Sequence, residues 1–416
     1  MTLAWLSLGA LFLAILISCT TRLNVGIVAL SMAWIIGVYA GGLSPAEVMS
    51  GFPASLFLTL TGVTLLFTQA QTNRTLDKLA HHAVLSCRGN TGLIPVMFFF
   101  LAVCLATMGP GNIATAALMA PMAMVVGARA GVPAFLMAIM VGNGANAGSL
   151  SPFAPTGIIV NGIMARIGME GLEWQSYFAN FIAHSTVAFG GYFLFGGWRL
   201  FGVRYVHTPE PGEERGHEFD RDNWVTLGVI LALICGVIFF RVHVGLAAFA
   251  GATLLGLLRA AEHGESVRKI PWGVIVMVSG ITVLISLLEK THGMDLFTDL
   301  LARMATAQSV TAMVAFLTGL ISVYSSTSGV VLPAFLPTVP GLAERLGGIE
   351  TVPIAMSMNV GSHLVDVSPL STIGALCIAA IRGEEESRSL FNKLLAWGLS
   401  MTLVGAAVCW LFFGHR

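Results

Sequence analysis

The chain has 416 residues, of which 56% are hydrophobic and 10% charged, against roughly 25% charged in an ordinary soluble chain. Its 21 basic and 21 acidic residues cancel to a formal net charge of zero, and no basic cluster exceeds a loop. Those figures exclude a soluble domain, a nucleic-acid partner and a membrane-surface role, and leave an all-α polytopic membrane protein whose main partner is the lipid bilayer.

In chain order, apolar segments run over about 3–20, 23–40, 53–72, 91–127, 131–165 and 178–203, then 223–240, 243–260, 270–289, 308–344, 350–381 and 390–412. The first lacks a basic leader and runs straight into Arg22 and the next apolar run, so it reads as a span and not as a cleaved signal. Arg74 to Arg88, with His81 and His82, reads as an amphipathic interfacial helix. Val206 to Asn223 is dense in Glu, Asp, Arg and Pro and is the one clear linker. The expected units are residues 1–205, a cytoplasmic linker over 206–222, and residues 223–416. The six cysteines are scattered without metal-like spacing and read as small buried hydrophobes.

The two halves repeat each other. Gly144-Ala-Asn-Ala-Gly-Ser149-Leu-Ser151-Pro152-Phe-Ala-Pro-Thr-Gly157 recurs 217 residues later as Gly361-Ser-His-Leu-Val-Asp366-Val-Ser368-Pro369-Leu-Ser-Thr-Ile-Gly374. Arg22-Leu-Asn24-Val-Gly26 likewise matches Arg241-Val-His243-Val-Gly245, and Pro53 with Gly62-Val-Thr64 matches Pro271 with Gly280-Ile-Thr282. Both Ser-Pro copies interrupt long apolar segments, so each reads as a membrane helix broken at its middle. A freed backbone group in hydrocarbon costs several kcal/mol, so such breaks are tolerated where they line a cavity. In each copy a Ser precedes a Pro, the order of a helix N-cap and first turn, and this predicts that the second half-helix starts at Ser151 and at Ser368.

Segments 91–127 and 308–344 are interrupted by Met108-Gly-Pro-Gly-Asn112 and Tyr324-Ser-Ser-Thr-Ser-Gly329. Read as re-entrant hairpins, they leave five crossings per half, and an odd number makes the halves inverted repeats. Alternating the loops on that plan puts 15 of the 21 Lys and Arg on one side. The positive-inside rule makes that side cytoplasmic and both termini external.

Four half-helix N-termini, two at hairpin tips (one capped by Asn112) and two at breaks, are then expected at one midplane cavity, and positive dipole ends favour an anion. The expected substrate contacts are Gly111, Asn112, Ser151, Thr156, Ser326, Thr327, Ser328, Ser368 and Thr372. No Arg or Lys lies in either tip or break centre. A dianion entering there needs co-bound cations to offset a desolvation cost of several kcal/mol per charge. No cofactor is expected beyond a coupling ion, Na+ or H+. The expected coupling residues are Asn112, Asn146, Asn359, His363 and Asp366, with Na+ seated among Asn112, Asn146, Ser328 and Asn359. Asp366 is the sole acid near the middle of a span, where carboxylates are expensive enough to be functional by default; the alternative is a structural bond that closes the break. His184 and His243, near span ends, read as satisfied polar residues.

The order of spans, interfacial helix, hairpin and broken helix, present twice, resembles the ion transporter superfamily that holds the divalent anion:sodium symporters and citrate carriers. Within it the chain is similar to the MatC-type malonate/dicarboxylate carriers, chiefly through Gly51-Phe-Pro-Ala-Ser-Leu-Phe-Leu-Thr-Leu-Thr-Gly62 and Ser325-Ser-Thr-Ser-Gly-Val-Val-Leu-Pro333. In the divalent anion symporters each tip carries Ser-Asn-Thr, which binds carboxylate and flanks a sodium site. Here the tips read Gly111-Asn112-Ile113 and Ser326-Thr327-Ser328, so Asn112 and the hydroxyls carry over, and the weight shifts toward Asp366 and protons. The resemblance implies a secondary transporter for a small dicarboxylate, a homodimer in the bacterial inner membrane, working as an elevator in which hairpins and broken helices slide against the remaining spans. Another anion carrier of the superfamily or a cation/proton antiporter shares the architecture. An intramembrane enzyme would need a nucleophile and base, and offers only His363 and Asp366.

Overall fold

The computed structural model describes residues 2–21, 23–85, 90–204, 218–240, 242–381 and 383–414. Residues 206–217 of the expected linker lie outside them, as do Arg22, Arg88, Arg215, Arg241, Arg382 and Arg416 from the charge count. The described chain is built of helices. The first half contributes α1 (Thr2–Thr20), α2 (Val25–Trp34, continued by a π turn over Ile35–Ala40), α3 (Pro45–Met49), α4 (Ala54–Thr72) and α5 (Thr75–Leu85). There follow α6 (Leu93–Met108), α7 (Gly111–Arg129), α8 (Ala134–Ala147), α9 (Pro155–Arg166) and α10 (Glu173–Leu194). The second half contributes α11 (Arg221–Phe240), α12 (Val244–Leu257), α13 (His263–Lys269), α14 (Trp272–Lys290), α15 (Gly293–Ala302) and α16 (Val310–Ser322). After a π turn at Thr327–Val331 come α17 (Leu332–Phe335), α18 (Val339–Arg345), α19 (Thr351–Leu364), α20 (Thr372–Ala379) and α21 (Glu384–Phe413).

Among the described residues α7, α14 and α21 are individually long and apolar enough to cross a membrane. The segments Val310–Ser322 and Thr327–Arg345 meet at a bend of 120°, the geometry of a chain that turns back on itself or of a broken span. Helices α4 and α14 are both 19 residues long, and α8 and α19 both 14, at the positions the sequence match pairs.

Matching residues also do matching work. Asn24 caps α2 by accepting the Gly26 N–H at 3.0 Å, and His243 caps α12 by accepting the Leu246 N–H at 3.4 Å, which is the polar use read for His243. The halves then cross through glycine. A Cβ on Gly26 would lie 2.3 Å from Val276 O, and one on Gly280 would lie 2.0 Å from Gly26 O, so α2 and α14 touch backbone to backbone. Their counterparts repeat the contact: a Cβ on Gly62 would lie 2.3 Å from Gly245 O, where α4 crosses α12. Close approach at small residues supplies the van der Waals contact that holds helices together in lipid.

Helices α6, α7, α8 and α10 form a second body with α16, α19 and α21, packed around the two breaks. Gly144 meets Phe99 O on α6, and its counterpart Gly361 meets the Ala315 backbone on α16, so each broken helix lies hard against the inbound arm of its hairpin.

Candidate functional site

The two breaks fold turn for turn alike. Ser149 N–H donates to Asn146 O and Asp366 N–H to His363 O, each at 3.0 Å. Ser151 N–H reaches Gly148 O at 3.2 Å, and Ser368 N–H reaches Val365 O at 2.9 Å. Each turn then folds over a glycine: a Cβ would sit 2.0 Å from Ser151 O at Gly157 and 2.1 Å from Ser368 O at Gly374.

The Ser-Pro pairs do not start the second half-helices. These begin at Pro155 and Thr372, and the caps are Ala154 and Ser371. Ser151 and Ser368 instead sit inside the turns and accept the N–H two residues on, from Phe153 at 3.2 Å and Leu370 at 3.3 Å. The same local chemistry that lets Ser cap a helix also lets it close a turn, and here the turn takes it. Ser151 Oγ further donates to Thr107 O at 2.7 Å, satisfying a carbonyl at the end of α6. Ser368 is packed beneath Gly398 of α21.

The first hairpin turns at Gly109-Pro110-Gly111, where φ of 142° and 77° require glycine. Pro110 holds the cap position, and Asn112 lies in the first turn of α7 rather than capping it. Its Nδ2 donates to Asn146 Oδ1 at 2.8 Å and its Oδ1 accepts the Ile113 N–H at 3.0 Å. At the second tip Ser326 is the cap and accepts the Gly329 N–H at 3.1 Å. Thr327 Oγ1 donates to Asp366 Oδ1 at 2.7 Å. Each tip is thus bonded to its own break, by two amides in the first half and by a hydroxyl and a carboxylate in the second.

Between the tips lies a cavity of about 250 Å³, lined by Asn112 and Ile113, by Tyr324 to Ser328, by His363 and Asp366, and by Leu370 to Ile373. Of the residues expected from sequence, Asn112, Ser326, Thr327, Ser328, Thr372, His363 and Asp366 line this one space. Ser151, Thr156 and Ser368 are buried away from its wall, and Gly111 supports it by packing on Pro155. Asn146 stands one layer behind Asn112, and Asn359 turns its amide to the Met164 sulfur at 3.9 Å. The helical segments starting at Gly111, Thr327 and Thr372 present their first turns to the cavity, whereas α9, the fourth expected, starts beside the first hairpin and away from it. The site is therefore built on the second break and both tips, and not symmetrically on both breaks.

Two residues join the neighbourhood that the sequence reading does not assign to the site. Tyr324 joins the cavity wall because the second tip is longer than the first. His184, expected near a span end and satisfied, instead stands at the middle of α10, wholly buried; its Nδ1 bonds Asn143 Oδ1 at 2.9 Å across to α8, while its Nε2 has no partner in the protein. No sequence spacing links those two positions.

Chemically the cavity offers hydroxyls, one amide, one imidazole, three helix N-terminal ends and one carboxylate, with no Lys or Arg in its wall. N-terminal ends and neutral donors favour an anion, and the carboxylate opposes one unless a cation neutralises it. Among the described residues no group of three or more His, Cys, Asp or Glu is arranged to hold a metal ion.

A family model described as "Dicarboxylate carrier protein MatC N-terminus" matches residues 1–149, which span the first hairpin and α8 up to the first break. No curated protein matches by sequence. Among solved structures, the YdaH transporter of Alcanivorax borkumensis, whose crystal structure is described as having an unusual topology, superposes with a TM-score of 0.64 at 14% identity. The superposition covers 99% of this chain and 98% of that one, so the two share a fold over their whole length. Residues 1–149 are thus similar to the N-terminal part of the MatC dicarboxylate carriers, and the whole chain, helical and apolar enough for a multi-pass membrane protein, shares the fold of the YdaH transporter.

Proposed function

We propose that this protein is a secondary active transporter of a small dicarboxylate, of malonate or succinate size, coupled to Na+ or H+. The observation that carries the reading is the convergence of three helix N-terminal ends and a wall of hydroxyls on one cavity of about 250 Å³ containing a lone acid, Asp366. The volume suits one small organic anion. Moving a charged group into such a site costs several kcal/mol, and Asp366 adds repulsion, so the anion travels with a cation or with a proton on the acid. The matched breaks, caps and glycine crossings support two inverted repeats of five spans, each with a re-entrant hairpin and a broken helix. Division into a glycine-crossed frame and a hairpin-bearing body supports elevator motion of the second against the first. We place the protein in a bacterial inner membrane as a homodimer, with both termini outside.

The test is thermal stability of the purified chain against a panel of di- and tricarboxylates with and without Na+, followed by uptake into proteoliposomes under imposed Na+ or proton gradients. Stabilisation by a short dicarboxylate and gradient-driven accumulation are expected. Stabilisation by none of the panel removes the substrate class, and uptake indifferent to both gradients removes the coupling. A cation/proton antiporter is the second reading, favoured by the half-buried Asp366 in the cavity wall, and would respond to cations alone.

A further inference from the structure

Behind the cavity, α10 runs beside α19 and α8, and five buried polar atoms at that junction have no hydrogen-bond partner in the protein: Asn146 Nδ2, Asn180 Oδ1, His184 Nε2, Asn359 Oδ1 and His363 Nε2. Buried polar atoms in native proteins are nearly always bonded, and in hydrocarbon each failure costs several kcal/mol, so five together imply an occupant. Their level in the fold is common. Asn180 Nδ2 donates to Asn146 O at 2.7 Å, joining α10 to α8. Met164 sulfur receives both the Ser176 hydroxyl and the Asn359 amide, so one turn of α10 matches one turn of α19. One turn further along on the same two packed helices stand His184 on α10 and His363 on α19.

Hydrogen-bond chemistry fixes what these atoms want. His363 Nδ1 lies 2.7 Å from Asn359 O, which can only accept, so Nδ1 carries the proton and Nε2 is left as a lone pair. Asn143 Nδ2 donates to Ile139 O, so Asn143 Oδ1 accepts from His184 Nδ1, and His184 Nε2 is a lone pair too. With the two amide oxygens the junction presents four acceptors and one donor. Two water molecules supply four O–H donors and one oxygen can take the Asn146 N–H, which satisfies all five atoms. His363 also lines the cavity, so the junction lies directly behind that wall.

We propose that the α8–α10–α19 junction is a binding site for ordered water, a hydrated compartment that extends the cavity past His363 to His184. The experiment replaces His184→Cys and, one apolar turn away and equally buried, Ala188→Cys in the full chain. Folded protein is treated with 2-aminoethyl methanethiosulfonate, which modifies thiolates in contact with water, and modification is read at each position by peptide mass. The Cys at 184 should react at least tenfold faster than the Cys at 188. Equal rates, or no reaction at 184, overturn the proposal. Labelling at 184 that is slow in NaCl and fast in N-methylglucamine chloride would put a cation there and also overturn it. If the variants fail to fold, a high-resolution structure of the parent chain decides: density peaks at about 2.7–3.2 Å from both Nε2 atoms are expected, and clear density without them refutes the site. Neither readout needs transport, so failure here leaves the dicarboxylate reading untouched.

Discussion

Thr327 Oγ1 lies 2.7 Å from Asp366 Oδ1 and ties the second hairpin tip to the second break, where the first half uses Asn112 Nδ2 to Asn146 Oδ1 at 2.8 Å. The folds match and the chemistry does not. An amide pair holds the first joint without charge, so the carboxylate of the second is not needed for closure alone. Asp366→Asn should therefore fold, while gradient-driven accumulation in proteoliposomes falls at least tenfold. Thr327→Val removes one hydrogen bond to a charged group, worth about 1.5–3 kcal/mol. That corresponds to roughly a 10- to 100-fold loss in initial uptake rate. Undiminished accumulation by Asp366→Asn would refute the coupling role.

Ser151 and Ser368 separate a binding role from a structural one. Both hydroxyls are bonded to backbone and stand outside the cavity wall. Ser151→Ala should cost about 1 kcal/mol of stability through the lost bond to Thr107 O, with dicarboxylate affinity of the folded fraction unchanged. Ser368→Ala should behave alike, with a smaller loss because it accepts a single N–H. A tenfold drop in affinity at unchanged melting temperature would return both residues to the site.

What the sequence conveys is the covalent grammar of the breaks: two interrupted helices, two hairpins, and the exchange of Ser149 for Asp366 and Asn146 for His363. The Ser-Pro pattern misleads by three residues in one copy and three in the other, because a serine that closes a turn and one that caps a helix carry the same local signal. The wall of the cavity is a different matter. Which break faces it depends on how α9 and α20 pack, and nothing along the chain distinguishes Thr156, turned away, from Thr372, at the wall. The Asn143–His184 bond is equally unreadable, since it joins two helices that meet only in the folded chain.

Gly157 and Gly374 give a test of that equivalence. Either Cβ would come within about 2 Å of a serine carbonyl oxygen, at 2.0 and 2.1 Å. Gly157→Ala and Gly374→Ala should each destabilise by about 1–3 kcal/mol or more, since the obstacle is backbone that cannot swing aside. Gly190→Ala, with nothing within 4 Å of its Cβ, should be neutral. Melting midpoints of the three purified variants check this. Unchanged midpoints for the first two would mean that the breaks relax and do not hold a fixed turn.

The ion pair between Lys78 of α5 and Asp220 at the entry of α11 predicts a pH dependence. Lys78 Nζ lies 2.9 Å from Asp220 Oδ2 and 2.6 Å from Asn223 Oδ1. The Lys78 hydrogen bond, then the Asn223 backbone N–H, hold the Asp220 carboxyl below its ordinary value of 3.8. A carboxyl depressed in the folded state stabilises it above that ordinary value, and the contribution is lost as pH falls through the lower folded value. Asp220 is 60% exposed, so solvent screening limits the effect to about 0.5 kcal/mol. Asp220→Asn keeps an oxygen for the α11 N-terminus and removes the charge. It should lower stability slightly at neutral pH, and its deficit should shrink as the parent is acidified below that ordinary carboxyl value. Lys78→Met, which also removes one of the two donors to Asn223 Oδ1 and leaves the Asp220 N–H at 3.1 Å, should cost about 1–3 kcal/mol and keep part of that deficit in acid. Melting curves of both variants across the acid range check the sign: an Asp220→Asn deficit that grows on acidification would contradict it.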